Sequence, residues 1–271
     1  MHTTKELARQ PDLGLKREHS PRPLSAWVLA PIVLFLVIAL WELIVYLGDY
    51  PAFVLPTPRR VARRFLAALS EGTLQMHTLV TLREDFWGLL LGLSVACVLG
   101  YLLAKSRTLD RLLSPYLVAS QAIPIVALAP LLVIWFGAGS LSKVLVCALT
   151  LFFPVLINTT VGIRHVDDNL MALMRSLQAS RWQILRYLEL PAALPVLLGG
   201  LKVGVTLSVI GAVVGEFVGA DRGLGFLVNL ARGLFDTSLM FVALLTLMFI
   251  ALALYFIVSA LERWLLKWRW E

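Results

Sequence analysis

Residues 166–219 join a polar, helix-forming loop directly to an apolar span striped with small residues, and few folds accommodate that junction. In the loop, Asp167 and Asp168 can cap a short helix whose apolar residues are Leu170, Leu173, Met174 and Leu177. Spacings of three, four and seven put those four on one helix face. Ser180-Arg181-Trp182-Gln183 opens a second helix, because serine followed three residues later by glutamine forms a capping box that satisfies two orphan backbone N–H groups. Its apolar face is Ile184, Leu185 and Leu188, and Pro191 is expected to stop it, since proline has no N–H and its ring clashes with the preceding turn. The two helices meet at Leu177, Gln178 and Ala179 and present Arg175, Arg181 and Arg186. Such a loop is suited to gripping a partner.

The apolar stretch behind it, 196–219, holds only Lys202 and Glu216 as ionisable residues, one near each end. Gly200, Gly204, Ser208, Gly211, Ala212, Gly215 and Gly219 recur at helical intervals. Small residues let helix backbones approach closely in lipid, where little hydrophobic drive brings helices together. Any one of these glycines is ordinary bundle packing. The whole stripe, placed behind a docking loop, points to a helix that works against its neighbours.

A hydrophobic share of 59% against 15% charged residues makes this an all-α polytopic membrane protein. The net charge of +7 does not indicate nucleic acid: no basic face or aromatic-and-basic platform appears, and membrane proteins concentrate Lys and Arg in cytoplasmic loops. Cys97 and Cys147 lie inside apolar stretches and read as small buried hydrophobes.

In chain order, 1–23 is a polar tail, and 24–47 is a retained first transmembrane helix with Glu42 snorkelling to the interface. Pro56-Thr57-Pro58 opens an amphipathic helix, with Val61, Phe65, Leu66 and Leu69 facing one way and Arg59, Arg60, Arg63 and Arg64 the other. It should lie along the membrane interface or against its own bundle. The second span is expected at 86–103. The third, 112–136, carries Pro115, Pro124 and Pro130, with Ser120 and Gln121 at mid-depth. It reads either as a helix broken around a cavity or as one merely kinked for packing. The fourth, 144–162, carries Asn158 towards its end; 196–219 is the fifth, 221–237 a connector, and 239–261 the sixth. A tail rich in tryptophan and basic residues, 263–271, should anchor at the interface. Basic residues are more numerous on the side holding the N-terminal tail, 105–111, 164–186 and 263–269. Both termini and the 167–191 loop are therefore expected in the cytoplasm, around a transmembrane domain at 24–262.

Leu177-Gln178-Ala179-Ser180-Arg181-Trp182-Gln183-Ile184-Leu185-Arg186, followed by Leu190-Pro191-Ala192-Ala193-Leu194-Pro195, resembles the EAA loop of ATP-binding-cassette importer permeases. Phe53-Val54-Leu55-Pro56-Thr57-Pro58, Ile123-Pro124, Ala129-Pro130-Leu131, Trp135-Phe136-Gly137-Ala138-Gly139 and Val214-Gly215-Glu216-Phe217 are similar to the nitrate/taurine/sulfonate branch. That branch includes permeases for riboflavin and vitamin precursors. The resemblance implies a type I importer transmembrane domain of six helices in a bacterial inner membrane. It implies a second permease copy as a homodimer, an ABC ATPase subunit pair that carries ATP and Mg, and an extracytoplasmic solute-binding protein. No cofactor is expected on this chain itself. At the Glu-Ala-Ala positions the chain has Ala172, Leu173 and Met174, and Gln178 replaces the loop glycine. The helix–turn–helix is expected to survive, held by the Ser180 cap. Coupling is then assigned to Leu173, Met174, Arg175, Leu177, Gln178, Ala179, Ser180, Arg181, Leu185, Leu188 and Pro191. The translocation path is assigned to Ser120, Gln121, Pro124, Asn158, Gly204, Ser208, Gly211 and Gly215.

There is no G-x-x-x-x-G-K-[ST] loop and no G-x-S-x-G elbow, and His2, His19, His77 and His165 lack metal-ligand spacing. The chain is not expected to be an enzyme by itself or to hold a metal. An ion-coupled secondary transporter is the alternative, but it needs coupling groups within its spans, and only Glu42, Lys202 and Glu216 qualify. The substrate is expected to be a small organic solute: a sulfonate-, taurine- or nitrate-like anion, or a vitamin or precursor such as riboflavin or a pyrimidine.

Overall fold

A computed structural model describes residues 26–267. The expected N-terminal tail at 1–23 lies outside them, as does the end of the C-terminal tail, 268–271. The elements are α1 (Ala26–Gly48), α2 (Pro58–Ser70), α3 (Thr73–Lys105), α4 (Arg107–Gln121), α5 (Ile125–Phe136), α6 (Ser140–Arg164), α7 (Asp168–Ser176), α8 (Arg181–Ile184), a π turn (Leu185–Glu189), α9 (Leu190–Gly219), α10 (Leu224–Gly233) and α11 (Thr237–Leu265). Among the described residues five helices are long and apolar enough to cross a membrane, and α4 with α5, bent by 97°, brings the number to six if the pair is one span.

The break in the third span falls at Pro124, the N-cap of α5, while Pro115 and Pro130 are carried inside helices. A proline disfavours helical angles in the residue before it, so Ile123 leaves the helix and the chain turns.

At the centre of the bundle α6 lies between α3 and α9. Small residues set this spacing. A Cβ on Gly92 of α3 would stand 2.7 Å from the Ala148 carbonyl oxygen, and one on Gly211 of α9 would stand 2.9 Å from Cys147 Cα. Both neighbours are backbone atoms of α6, so neither contact can be relieved by turning a side chain. A second core forms where α10 and α11 meet α9, around the buried Leu224, Leu227, Leu239 and Val242. The amphipathic α2 lies against its own bundle: Val61 and Ala68 are buried, and the Arg64 guanidinium pairs with Asp236, the α11 N-cap, at 2.9 Å. The outlying α1 reaches the rest mainly through α2 and through Trp41, which stacks on Phe241 at 5.1 Å.

Three sequence expectations are corrected. The second span begins at Thr73, not near residue 86. Its extra turns carry His77, Thr81, Glu84 and Asp85, polar residues that count against a hydropathy window but here are buried among neighbouring helices. The stretch 221–237 is more than a connector, since it contains α10. Pro191 does not end a helix: Arg181–Gly219 runs unbroken for 39 residues. The π turn explains this, because the Leu190 N–H donates to the Leu185 carbonyl. That wider register makes room for the proline ring where an ordinary turn would clash.

Candidate functional site

At one end of the bundle, the loop end, the chain builds its helix–turn–helix loop from local signals. The Asp167 carboxylate accepts the Asn169 N–H at 2.7 Å and starts α7. The helix closes with the Gln178 N–H donating to the Arg175 carbonyl and the Ala179 N–H to that of Met174, both at 3.0 Å. This pair of bonds is a Schellman motif, which needs a left-handed residue after the cap. Gln178 is that residue, with φ +54°. Two residues on, Ser180 and Gln183 exchange the capping-box bonds: Ser180 N–H to Gln183 Oε1 at 2.7 Å, and Gln183 N–H to Ser180 Oγ at 3.3 Å.

The two apolar stripes of the loop separate in space. Leu170, Leu173 and Leu177 are exposed, and so are Trp182 and Tyr187. Ile184, Leu185 and Leu188 are half-buried. Leu185 lines an apolar crevice with Cys97, Ile163 and Leu197, and Ile184 lines a cleft with Tyr101, Lys105 and Glu189. Helical continuity into α9 thus turns Leu185 and Leu188 partly inward, unlike the exposed stripe of α7. Met174 is half-buried, while Arg175 and Arg181 are exposed along the same cleft as Ile184. Ala179 and Pro191 are half-buried.

Behind the loop, Glu189 is fully buried and forms an ion pair with Lys105, the last residue of α3. Its second oxygen, Oε2, has no partner. Beside this pair the Arg164 guanidinium, at the end of α6, reaches the Leu103 carbonyl at 3.0 Å and Asp110 of α4 at 2.8 Å.

Residues assigned to the path fall into two groups. Ser120, whose hydroxyl donates to the Leu117 carbonyl at 2.8 Å, Gln121 and Pro124 gather at the α4–α5 elbow, where Gln121 and Pro124 are exposed. Asn158, Gly204, Gly211 and Gly215 lie in the seam between α6 and α9, filled within this chain by Leu151, Val155, Thr150 and Lys143, whereas Ser208 is buried with its hydroxyl donating to the Val205 carbonyl at 3.0 Å. Val205, on α9, is buried as well, whereas Val203 and Ile210 point outward.

At the opposite, far end of the bundle stands a network that the sequence reading missed. The Thr81 hydroxyl donates to Glu216 Oε1 at 2.7 Å, and the Gly225 N–H donates to Glu216 Oε2. The Leu224 N–H donates to Thr81 Oγ1 at 2.8 Å, and the Gly223 N–H to His77 Nδ1 at 2.9 Å. Three side chains of α3 and α9 thus satisfy the first N–H groups of α10, which have no intrahelical partners. A side chain on Gly223 would run into the Glu216 carboxylate, and its φ of +116° suits glycine alone. Lys143, buried, donates to the carbonyls of Gly219 and Ala138. Glu84 and Asp85 are buried nearby, each with one oxygen lacking a partner. The available signal was the four-residue interval of His77, Thr81 and Asp85, which puts polar groups on one face and continues into Gly88 and Gly92.

Comparison with known proteins agrees with this architecture. The family described as Binding-protein-dependent transport system inner membrane component matches residues 88–269. A riboflavin transport system permease protein from Chloroflexus aurantiacus is 54% identical, over 88% of this chain and 89% of its own length. A formylaminopyrimidine transport permease protein from Halalkalibacterium halodurans is 35% identical over 90% of this chain and 98% of its own. For the taurine transport system permease protein of Escherichia coli the identity is 31%, with 92% and 93% covered. Among solved structures, an inward-facing form of the MetNI methionine ABC transporter superposes with a TM-score of 0.56 at 21% identity, covering 69% of this chain and 91% of that one.

Proposed function

The chain belongs to the family of binding-protein-dependent transport system inner membrane components, and on that premise we propose that it conducts riboflavin, or a close flavin analogue, into the cell as the permease subunit of an ATP-binding-cassette importer. The observation that carries the substrate is the 54% identity with a riboflavin permease along nearly the full length of both chains. Relatives named for other solutes stand at 35% and 31%.

In this reading 24–262 is the transmembrane domain, embedded in membrane lipid with both termini cytoplasmic. Two copies form a homodimer around the path. A separate ATPase pair, holding ATP and Mg, docks on the exposed Leu170, Leu173, Leu177 and Trp182. An extracytoplasmic binding protein delivers the solute at the far end. Selectivity then rests chiefly on that binding protein, with the α4–α5 elbow supplying polar groups to the path.

The test is uptake of labelled riboflavin by a riboflavin-requiring bacterium that expresses the permease with its ATPase and binding protein. ATP-dependent accumulation of riboflavin, undiminished by excess taurine, is expected. Accumulation of taurine or formylaminopyrimidine without riboflavin would overturn the substrate assignment.

A further inference from the structure

At the junction between the loop and α9 the backbone is poorly suited to transmit force by itself. Within 185–195 the hydrogen-bond ladder is interrupted three times: by the π turn, by Pro191 and by Pro195. Each proline lacks the N–H that would serve a carbonyl one turn back, and π turns and prolines are where helices bend. In the middle of this soft stretch sits Glu189, fully buried, its carboxylate on Lys105 at the end of α3. The pair joins residues 84 positions apart in sequence. No other ion pair among the described residues ties the loop–α9 junction to α3.

An apolar pair of similar volume would hold two helices together without the desolvation cost of a buried charge. What an ion pair adds is register, since a carboxylate and an ammonium attract at one alignment and not at the next. The second oxygen of Glu189 is unpartnered, which leaves Lys105, among the described residues, as its only counter-charge within hydrogen-bonding distance.

We propose that Lys105 and Glu189 form an ionic pin that makes the docking loop, α9 and α3 move as one body, so that a push on the loop reaches the path without being absorbed at the π turn. The proposal rests on the permease reading. It assigns Lys105 and Glu189 as positioning residues for coupling, without contact to nucleotide or solute.

Two measurements on the complex assembled with its ATPase and binding protein test it. In proteoliposomes, riboflavin transported per ATP hydrolysed should fall at least about fivefold in Glu189→Gln and in Lys105→Met, the lower range of couplings between distant sites. Lys105→Arg, which keeps the charge, should retain it. In the second measurement, spin labels go on the exposed loop residue Ser176 and on Val95 of α3, in a background with Cys97 and Cys147 replaced by alanine. ATP binding should leave their separation unchanged in the parent protein and shift or broaden it in Glu189→Gln. Identical label distances in parent and variant, or undiminished transport per ATP in both charge-removing variants, would overturn the pin. Absence of riboflavin transport by the parent protein would count against the substrate reading alone, because the label experiment needs no solute.

Discussion

The two ends of α9 are held in opposite ways. At the far end, Glu216 and Lys143 are both buried and hydrogen-bonded to backbone groups of neighbouring segments, and α10 is capped against α3 by Thr81 and His77. At the loop end the helix passes through a π turn and two prolines, and one half-exposed lysine clasps it. Several hydrogen bonds in a buried site resist tilting; a single ion pair beside a softened ladder resists it far less. If the proposed coupling holds, this difference would make the far end a pivot and the loop end the arm on which the ATPase acts.

Breaking the pivot should have the largest effect. Glu216→Ala strands the Gly225 N–H in a buried site and leaves a cavity there, and should destabilise the fold by about 3 kcal/mol. A fall in thermal unfolding temperature well beyond that of Glu189→Ala is expected, and equal falls would erase the contrast between the two ends. Next comes the arm. Leu173→Asp, on the exposed stripe, should weaken ATPase docking by about 1.5–3 kcal/mol and leave membrane insertion intact, read as loss of the ATPase on co-purification. Leu185→Asp, facing the crevice beside Cys97, should instead lower thermal stability, and a variant that behaved like Leu173→Asp would contradict the inward placement of that leucine.

Between the ends, Gly211→Leu must displace the α6 backbone at Cys147 and should cost about 1–3 kcal/mol. Its control is Val203→Leu on the outward face. Val205, one position on from Gly204, is 3% exposed and cannot serve. Equal unfolding temperatures for Gly211→Leu and Val203→Leu would show that the α6–α9 seam is loose. The smallest effect is a gain. Gln178→Gly relieves a left-handed non-glycine residue and should stabilise the loop by about 1 kcal/mol, seen as slower amide exchange at Ala179.

Local chemistry was legible from the residues because its range is short. The Asp167 cap, the Ser180–Gln183 box and the interruption at Pro124 each depend on side chains within a few positions of the backbone they govern. Apolar length likewise announced the spans, since lipid offers no partner for an open backbone and leaves helix as the solution. The limits of the second span were misread for the converse reason. His77, Thr81, Glu84 and Asp85 look too polar to belong in a membrane helix, and only the helices packed around them make their burial acceptable.

By itself, then, the sequence determined the helical class, the helix–turn–helix loop and the small-residue stripe, all properties of neighbours along the chain. Tertiary structure alone decided which loop leucines face outward, that Pro191 sits within a continuous helix, and that Glu189 meets Lys105 while Glu216 meets Thr81 across 135 positions. Those outcomes depend on which helix faces come together, and hydrophobic periodicity, which sorts a helix into faces, does not say what each face will touch.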